Sequence, residues 1–272
     1  MKIRLTALAF FPIITAVLIA ASPENNRADI KAAFRRPTIP PGETLIYRVT
    51  EKSRGMSFIP PTKVIQSEHH LQMVDARDGS RIIRHICREI RKDGVALRWE
   101  FDYLDAVTGV QALGYVLEKL SPEKDTYYYE ESVFDEPILK LPPDIVHVLS
   151  VPFLLSGIDF APDKRFSMHI WTEEGKPARI LMNVCGSERV KVPWKTVETW
   201  KICIRIDNKS MPKFGGALAK VIANLLPKFT IWFEKNPPHR PVKLHGVFGP
   251  LTPGKPEIIH ELIKVVSRKS PL

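Results

Sequence analysis

The chain has 272 residues, carries a formal charge of +10 at neutral pH, and is 44% apolar and 26% charged. That balance excludes a disordered or collagen-like polymer. A chain of this length buries roughly 70–75% of the surface its unfolded form exposes, so it can build a hydrophobic core without disulfide staples.

Lys2 and Arg4 precede an apolar run from Leu5 to Ala21, after which Ser22-Pro23-Glu24 turns polar. Charge, grease and small residues in that order predict a secretory signal over residues 1–22, and with it a periplasmic location. The run is broken by Pro12 and falls short of the roughly 20 residues of a comfortable span, which leaves an uncleaved anchor as the rival reading. Residues 23–41 contain Pro37, Pro40 and Pro41 and read as an extended leader. A single domain is expected over residues 42–267.

That domain opens on a strand, since Leu45, Tyr47 and Val49 alternate with polar neighbours. A second strand covers residues 63–74 and ends at a turn around Asp78-Gly79. Residues 81–92 fit a helical face as well as a strand. The Asp93-Gly94 turn favours the strand, paired with the next one, where Val95, Leu97, Trp99, Phe101 and Tyr103 alternate with charged residues. Further strands are expected over residues 110–119, 125–133, 165–173, 178–192, 196–207, 228–235, 241–247 and 257–266. Strands joined by turns pair antiparallel.

Two segments read as apolar helices. Asp144 caps a run from Ile145 to Ser156 that includes Leu149 and Phe153, with Pro152 as a kink and Gly157 as a stop. The other runs from about Phe214 to Leu226, with Leu218 and Ile222 at helical spacing and Pro227 ending it. Both are too greasy for a solvated surface and should pack on the concave face of the sheet. The fold class is therefore mainly β (α+β), a curved antiparallel sheet carrying two apolar helices.

Cys87, Cys185 and Cys203 suit an oxidising compartment but are too few for a disulfide scaffold. A hairpin register placing Val192 opposite Thr196 also places Cys185 opposite Cys203. Two readings stay open there: a cross-strand bridge, or two small buried residues that never oxidise.

The segments PGETLIYRVT, PPDIVHVLSVPFLLSGIDFAP, GSERVKVPWKTVETWKICI and LPKFTIWFEKNPPHRPVKLHGVFGPLTPGKPEIIHEL resemble the bacterial domain of unknown function 3108, a family of exported proteins. The resemblance spans most of residues 42–266. It implies a periplasmic protein with a strongly curved antiparallel sheet, similar to the half-barrels that carry lipoproteins between membranes. It brings no catalytic residues. Trp194-Lys195 departs from the family's small turn after Val192-Pro193.

None of the eight histidines falls in a metal-ligand spacing, Gly-x-Ser-x-Gly is absent, and no glycine-rich phosphate cradle appears, so no metal, cofactor or enzymatic activity is expected. Evenly scattered Lys and Arg on an exported chain argue against nucleic acid and leave two readings of the charge, a partner in an anionic membrane surface or a merely solvated face. The expected function is a cell-envelope protein holding a lipid or acyl group in the concavity. Trp99, Phe101, Leu149, Phe153, Leu218, Ile222 and Trp232 are the candidate lining residues, and His239 and Arg240 a polar rim. The alternatives are an envelope scaffold with a filled core and, less favoured, a hydrolase or lyase at His239 and Arg240.

Overall fold

A computed structural model describes residues 36–52, 64–106, 109–121, 126–133, 145–171, 178–207, 229–246 and 257–267. Its strands are β1 (Glu43–Lys52), β2 (Val64–Asp75), β3 (Arg81–Arg91), β4 (Ala96–Ala106), β5 (Gly109–Ser121), β6 (Thr126–Val133), β7 (Ile145–His147), β8 (Arg165–Trp171), β9 (Ala178–Lys191), β10 (Thr196–Ile206), β11 (Phe229–Glu234), β12 (Pro241–Gly246) and β13 (Glu257–Ser267). They form one thirteen-stranded sheet in the order β6-β5-β4-β3-β2-β1-β13-β12-β11-β10-β9-β8-β7. Every pair is antiparallel except β7 with β8.

Strand alternation sets the two faces. In β4 the side chains of Trp99, Phe101 and Tyr103 are buried, while on the other face Arg98 bonds Glu118 and Glu100, and Asp102 takes two hydrogen bonds from Arg84 of β3 at 2.7 and 2.8 Å. The outer face continues as a ladder of opposite charges, with Glu261 of β13 accepting from Arg48 of β1 at 2.7 Å and from Lys243 of β12 at 3.3 Å. The turn into β4 works as its sequence predicts: Gly94 sits at φ +78° and its N–H closes on the Arg91 carbonyl at 3.1 Å.

The sheet curls until its two ends nearly meet. His147 of β7 stacks on Phe101 of β4 at 4.1 Å and its N–H donates to the Tyr103 hydroxyl at 3.3 Å. The result is a nearly closed barrel, a correction to the half-barrel expectation. The inner faces of β1–β4 and β8–β13 share one continuous core.

Residues 145–156 do not form the single helix expected. Ile145–His147 is β7, and a short α1 (Val151–Leu154) follows, continued by a 3-10 turn at Leu155–Gly157. Pro152 lies in the first turn of α1 and starts it, because a proline lacks the N–H an interior position would need. The expected helix over 214–226 lies outside the described residues. No helix among the described residues is long and apolar enough to cross a membrane.

Two further links hold the barrel. Cys185 and Cys203 are bridged, with Cα atoms 5.9 Å apart, on the outer face. The register differs from the expected one: Cys203 faces Asn183, and the pairing shifts between Lys201/Gly186 and Ile202/Val184, so Cys185 is the extra residue of a bulge. The chain before β1 is also part of the structure. Arg36 pairs with Asp105 at 2.6 Å, Thr38 donates to the carbonyls of Ser156 and Pro238, and Ile39 is buried in the core.

Candidate functional site

Residues 148–158 follow β7 into the barrel as an internal plug, buried from Ser150 through Ile158. Phe153 at its centre lies over two imidazoles set side by side, stacking on His69 of β2 at 4.2 Å and on His85 of β3 at 4.7 Å. Tyr47 of β1 meets it edge-on at 6.2 Å. The stack extends along β4 as Phe101, His147 and Trp99, with Trp171 of β8 set edge-on to His147 at 4.5 Å.

A chain of polar contacts threads these rings. His85 Nδ1 lies 2.8 Å from Ser150 Oγ, His85 Nε2 lies 3.1 Å from His69 Nδ1, and His69 Nε2 faces Cys87 Sγ at 3.9 Å. Ser67 and His260 form a second pair at 3.2 Å. Burial drives all four histidines toward the neutral form: His85 and His147 to about 3, His260 to about 4, and His69 well below its ordinary value, with His85 and His260 adding to the effect. Burial likewise pushes the Cys87 thiol up, leaving it protonated and inert as a nucleophile. Among the described residues no cluster of three or more His, Cys, Asp or Glu is placed to hold a metal ion.

On its other side the plug borders a small, half-open recess. Val148, Val151 and Pro152 of the plug face Ile170, Ile180, Ile204, Phe229 and Ile231 of β8–β11, an entirely apolar lining. The centre of a water molecule has about 20 Å3 in which to move there, room for about one water-sized body.

Of the residues named from sequence, Trp99, Phe101 and Phe153 come together in the ring stack, and all three are core. Leu149 is half-buried at the start of the plug. Leu218 and Ile222 lie outside the described residues. Trp232 sits on the outer face: its Nε1–H donates to Glu188 at 2.6 Å, and the ammonium groups of Lys201 and Lys243 flank its ring at 5.6 and 5.8 Å. His239 packs against Phe160 at 4.9 Å and donates to the Glu234 carbonyl at 2.9 Å. Arg240 is taken up by carboxylates, bonding Glu43 twice at 2.8 Å and Glu234 at 2.9 Å, with Lys195 3.1 Å from Glu234. Its guanidinium therefore faces protein partners and not an open mouth.

The sequence reading missed the histidine cluster. The signal was in the strand parity: Arg84 and Arg88 share one face of β3, which turns Ile83, His85 and Cys87 inward, and His69 shares a face with Leu71 in β2.

No protein-family model matches the chain, and no curated protein matches it. Among solved structures it is similar to a β-barrel-like protein of the domain of unknown function 1849 from Brucella abortus, at a TM-score of 0.47 and 10% identity, over 87% of this chain and 100% of that one. It is also similar to a protein of Parabacteroides distasonis provisionally described as a lipoprotein (TM-score 0.36, 10% identity, 86% of this chain and 99% of that one). A third is a provisionally described exported protein of Bacteroides fragilis (TM-score 0.31, 10% identity, 86% and 99%). These likenesses are too loose to carry function, and the barrel-like architecture rests on the strand order itself.

Proposed function

We propose that this is an exported cell-envelope protein that binds a hydrophobic, lipid-like group inside the barrel, between the plug and β8–β11. The supporting observation is the wholly apolar recess bordered by Val148, Val151 and Pro152. Apolar burial at about 25 cal/mol per Å2 would drive binding there, with no polar group to satisfy. As packed, the recess takes no more than a small group, so an acyl chain enters only if the plug moves aside. Export is supported by the N-terminal signal pattern and by the Cys185–Cys203 bridge, a bond that persists in oxidising compartments.

The test is gentle purification of the full-length protein from its own envelope, followed by mass spectrometry of organic extracts. A stoichiometric lipid or fatty acid is expected, and a Val151→Trp variant that fills the recess should carry less. Protein that emerges without any bound organic molecule, and takes up none from mixed vesicles, sinks the proposal. The second reading, a scaffold with a filled core, is favoured by the small volume of the recess. In-cell crosslinking that traps one protein and no lipid supports it.

A further inference from the structure

The plug is fastened on its β2–β3 side by imidazoles, on its β8–β11 side by apolar contact and one backbone hydrogen bond from the Val148 N–H to the Trp171 carbonyl at 3.1 Å, and at its far end by the Thr38 hydroxyl on the Ser156 carbonyl at 2.7 Å. In neutral form the fastening is consistent in two proton orders. Either His69 donates to His85 and His85 to Ser150, or Ser150 donates to His85 and His85 to His69. Each ring has one N–H and one bare nitrogen, and each nitrogen finds its complement.

Protons added from solution disturb this. A single imidazolium keeps the hydrogen bonds but places a charge among Phe153, Tyr47, Phe101 and the neighbouring rings, where little solvates it. A second proton sets N–H against N–H across the 3.1 Å contact between His69 and His85. The titratable groups that face the pair are Tyr47 from β1, Cys87 from β3, Tyr103 from β4, His260 from β13 and His147 from β7; His70 acts on His85 from the opposite face of β2, and the Ser150 hydroxyl bonds His85. The charges acting on these neighbours are Glu234 and Arg240 at Tyr47, Glu89 at Cys87 and Asp102 at Tyr103. Among the described residues no carboxylate bonds either ring of the pair, so none compensates an imidazolium there.

We propose that the His69–His85 pair is an acid-operated latch: protonation of both rings releases residues 148–158 from the β2–β3 wall and opens the apolar recess the plug borders. This rests on the reading of the recess as the ligand site and assigns that site its regulation. The release is steeper than a one-proton titration, because the repulsive contact needs both rings charged.

Hydrogen exchange of the full-length protein, resolved by peptide and corrected for intrinsic rate at each pH, tests the latch without any ligand. Protection of residues 148–158 is expected to fall about 100-fold between neutral pH and pH 5 and to stay below that of β9 and β10 at every pH. Plug protection that persists until β9 and β10 lose theirs together overturns the proposal. His69→Phe keeps the stack on Phe153 and removes one proton site, and is expected to move the release down by about one pH unit; an unmoved midpoint overturns the latch. Uptake of the fluorescent fatty acid cis-parinaric acid, followed in parallel at pH 7.5 and 5, separates the two readings. Release without uptake at either pH removes the ligand reading and leaves the latch, whereas equal uptake over a plug protected at both removes the latch and leaves the ligand reading.

Discussion

Arg240, just before β12, holds Glu43 at the start of β1 through two hydrogen bonds of 2.8 Å, across 197 residues of sequence. The pair is well shielded, with side-chain exposures of 16% and 9%, and Arg240 also bonds Glu234. Removing the cation leaves two buried carboxylates with Lys195 as their remaining cationic partner. Arg240→Met is therefore expected to lower stability by about 3–5 kcal/mol. Urea denaturation measures it, and a loss under about 1 kcal/mol would mean the network is screened like a surface pair.

Phe153 is fully buried and stacks over both His69 and His85. Phe153→Ala empties the space over two hydrogen-bonded rings that cannot move into it without breaking their contacts to each other and to Ser150. A loss of about 3–5 kcal/mol is expected. Because the plug also closes the barrel through Ser150 and His147, near-ultraviolet circular dichroism should lose intensity while the far-ultraviolet strand signal persists. A variant as stable as the parent would show that the plug is not part of the cooperative core.

The buried histidines fix the sign of the pH dependence. Their folded values lie below the unfolded value of 6.5, at about 3 for His85 and His147 and about 4 for His260. Between those values and 6.5 the unfolded chain binds protons that the folded chain does not, so stability is complete above 6.5 and is lost as pH falls. Each group contributes about 1.4 kcal/mol per pH unit, together about 4 kcal/mol per unit for the three. Urea midpoints measured from pH 7.5 to 4.5 should fall steeply below 6.5. A flat profile down to pH 4.5 contradicts the burial of these rings.

The bridge on the outer face is open to reagents, since Cys185 is exposed, whereas Cys87 is fully buried. Reduction is expected to cost about 3 kcal/mol for a loop of this size, in the chain-entropy account. Under native conditions a reductant and iodoacetamide should label Cys185 and Cys203 and spare Cys87 until the protein unfolds. Prompt labelling of all three thiols would show an interior more open than the structure.

The long strands were legible because a half-buried strand writes its period into the chain, as Trp99, Phe101 and Tyr103 do between Arg98, Glu100 and Asp102. β7 was not, because Ile145, Val146 and His147 are all buried and a short apolar run carries no period. The register around Cys203 was misread for a local reason: a bulge inserts one residue without any sign in hydrophobicity, and only Gly186, at φ +134°, hints at it. Among the candidate site residues, aromatic strand positions were readable as interior. Trp232 was not, since an indole covered by the stems of Lys201 and Lys243 is buried from the outside. The histidines carry no ligand-like spacing: His69 and His85 meet only through the β2–β3 pairing, and His147 and His260 reach them only once the sheet has curled.

The pairing of β1 with β13 has a consequence for biogenesis. The first and last of the described strands lie side by side in the middle of the sheet, so the two runs of hairpins stay unjoined until β13 has been made. Such distant pairing slows the search for the native state. Loss of β13 would therefore split the barrel at its centre instead of fraying an edge.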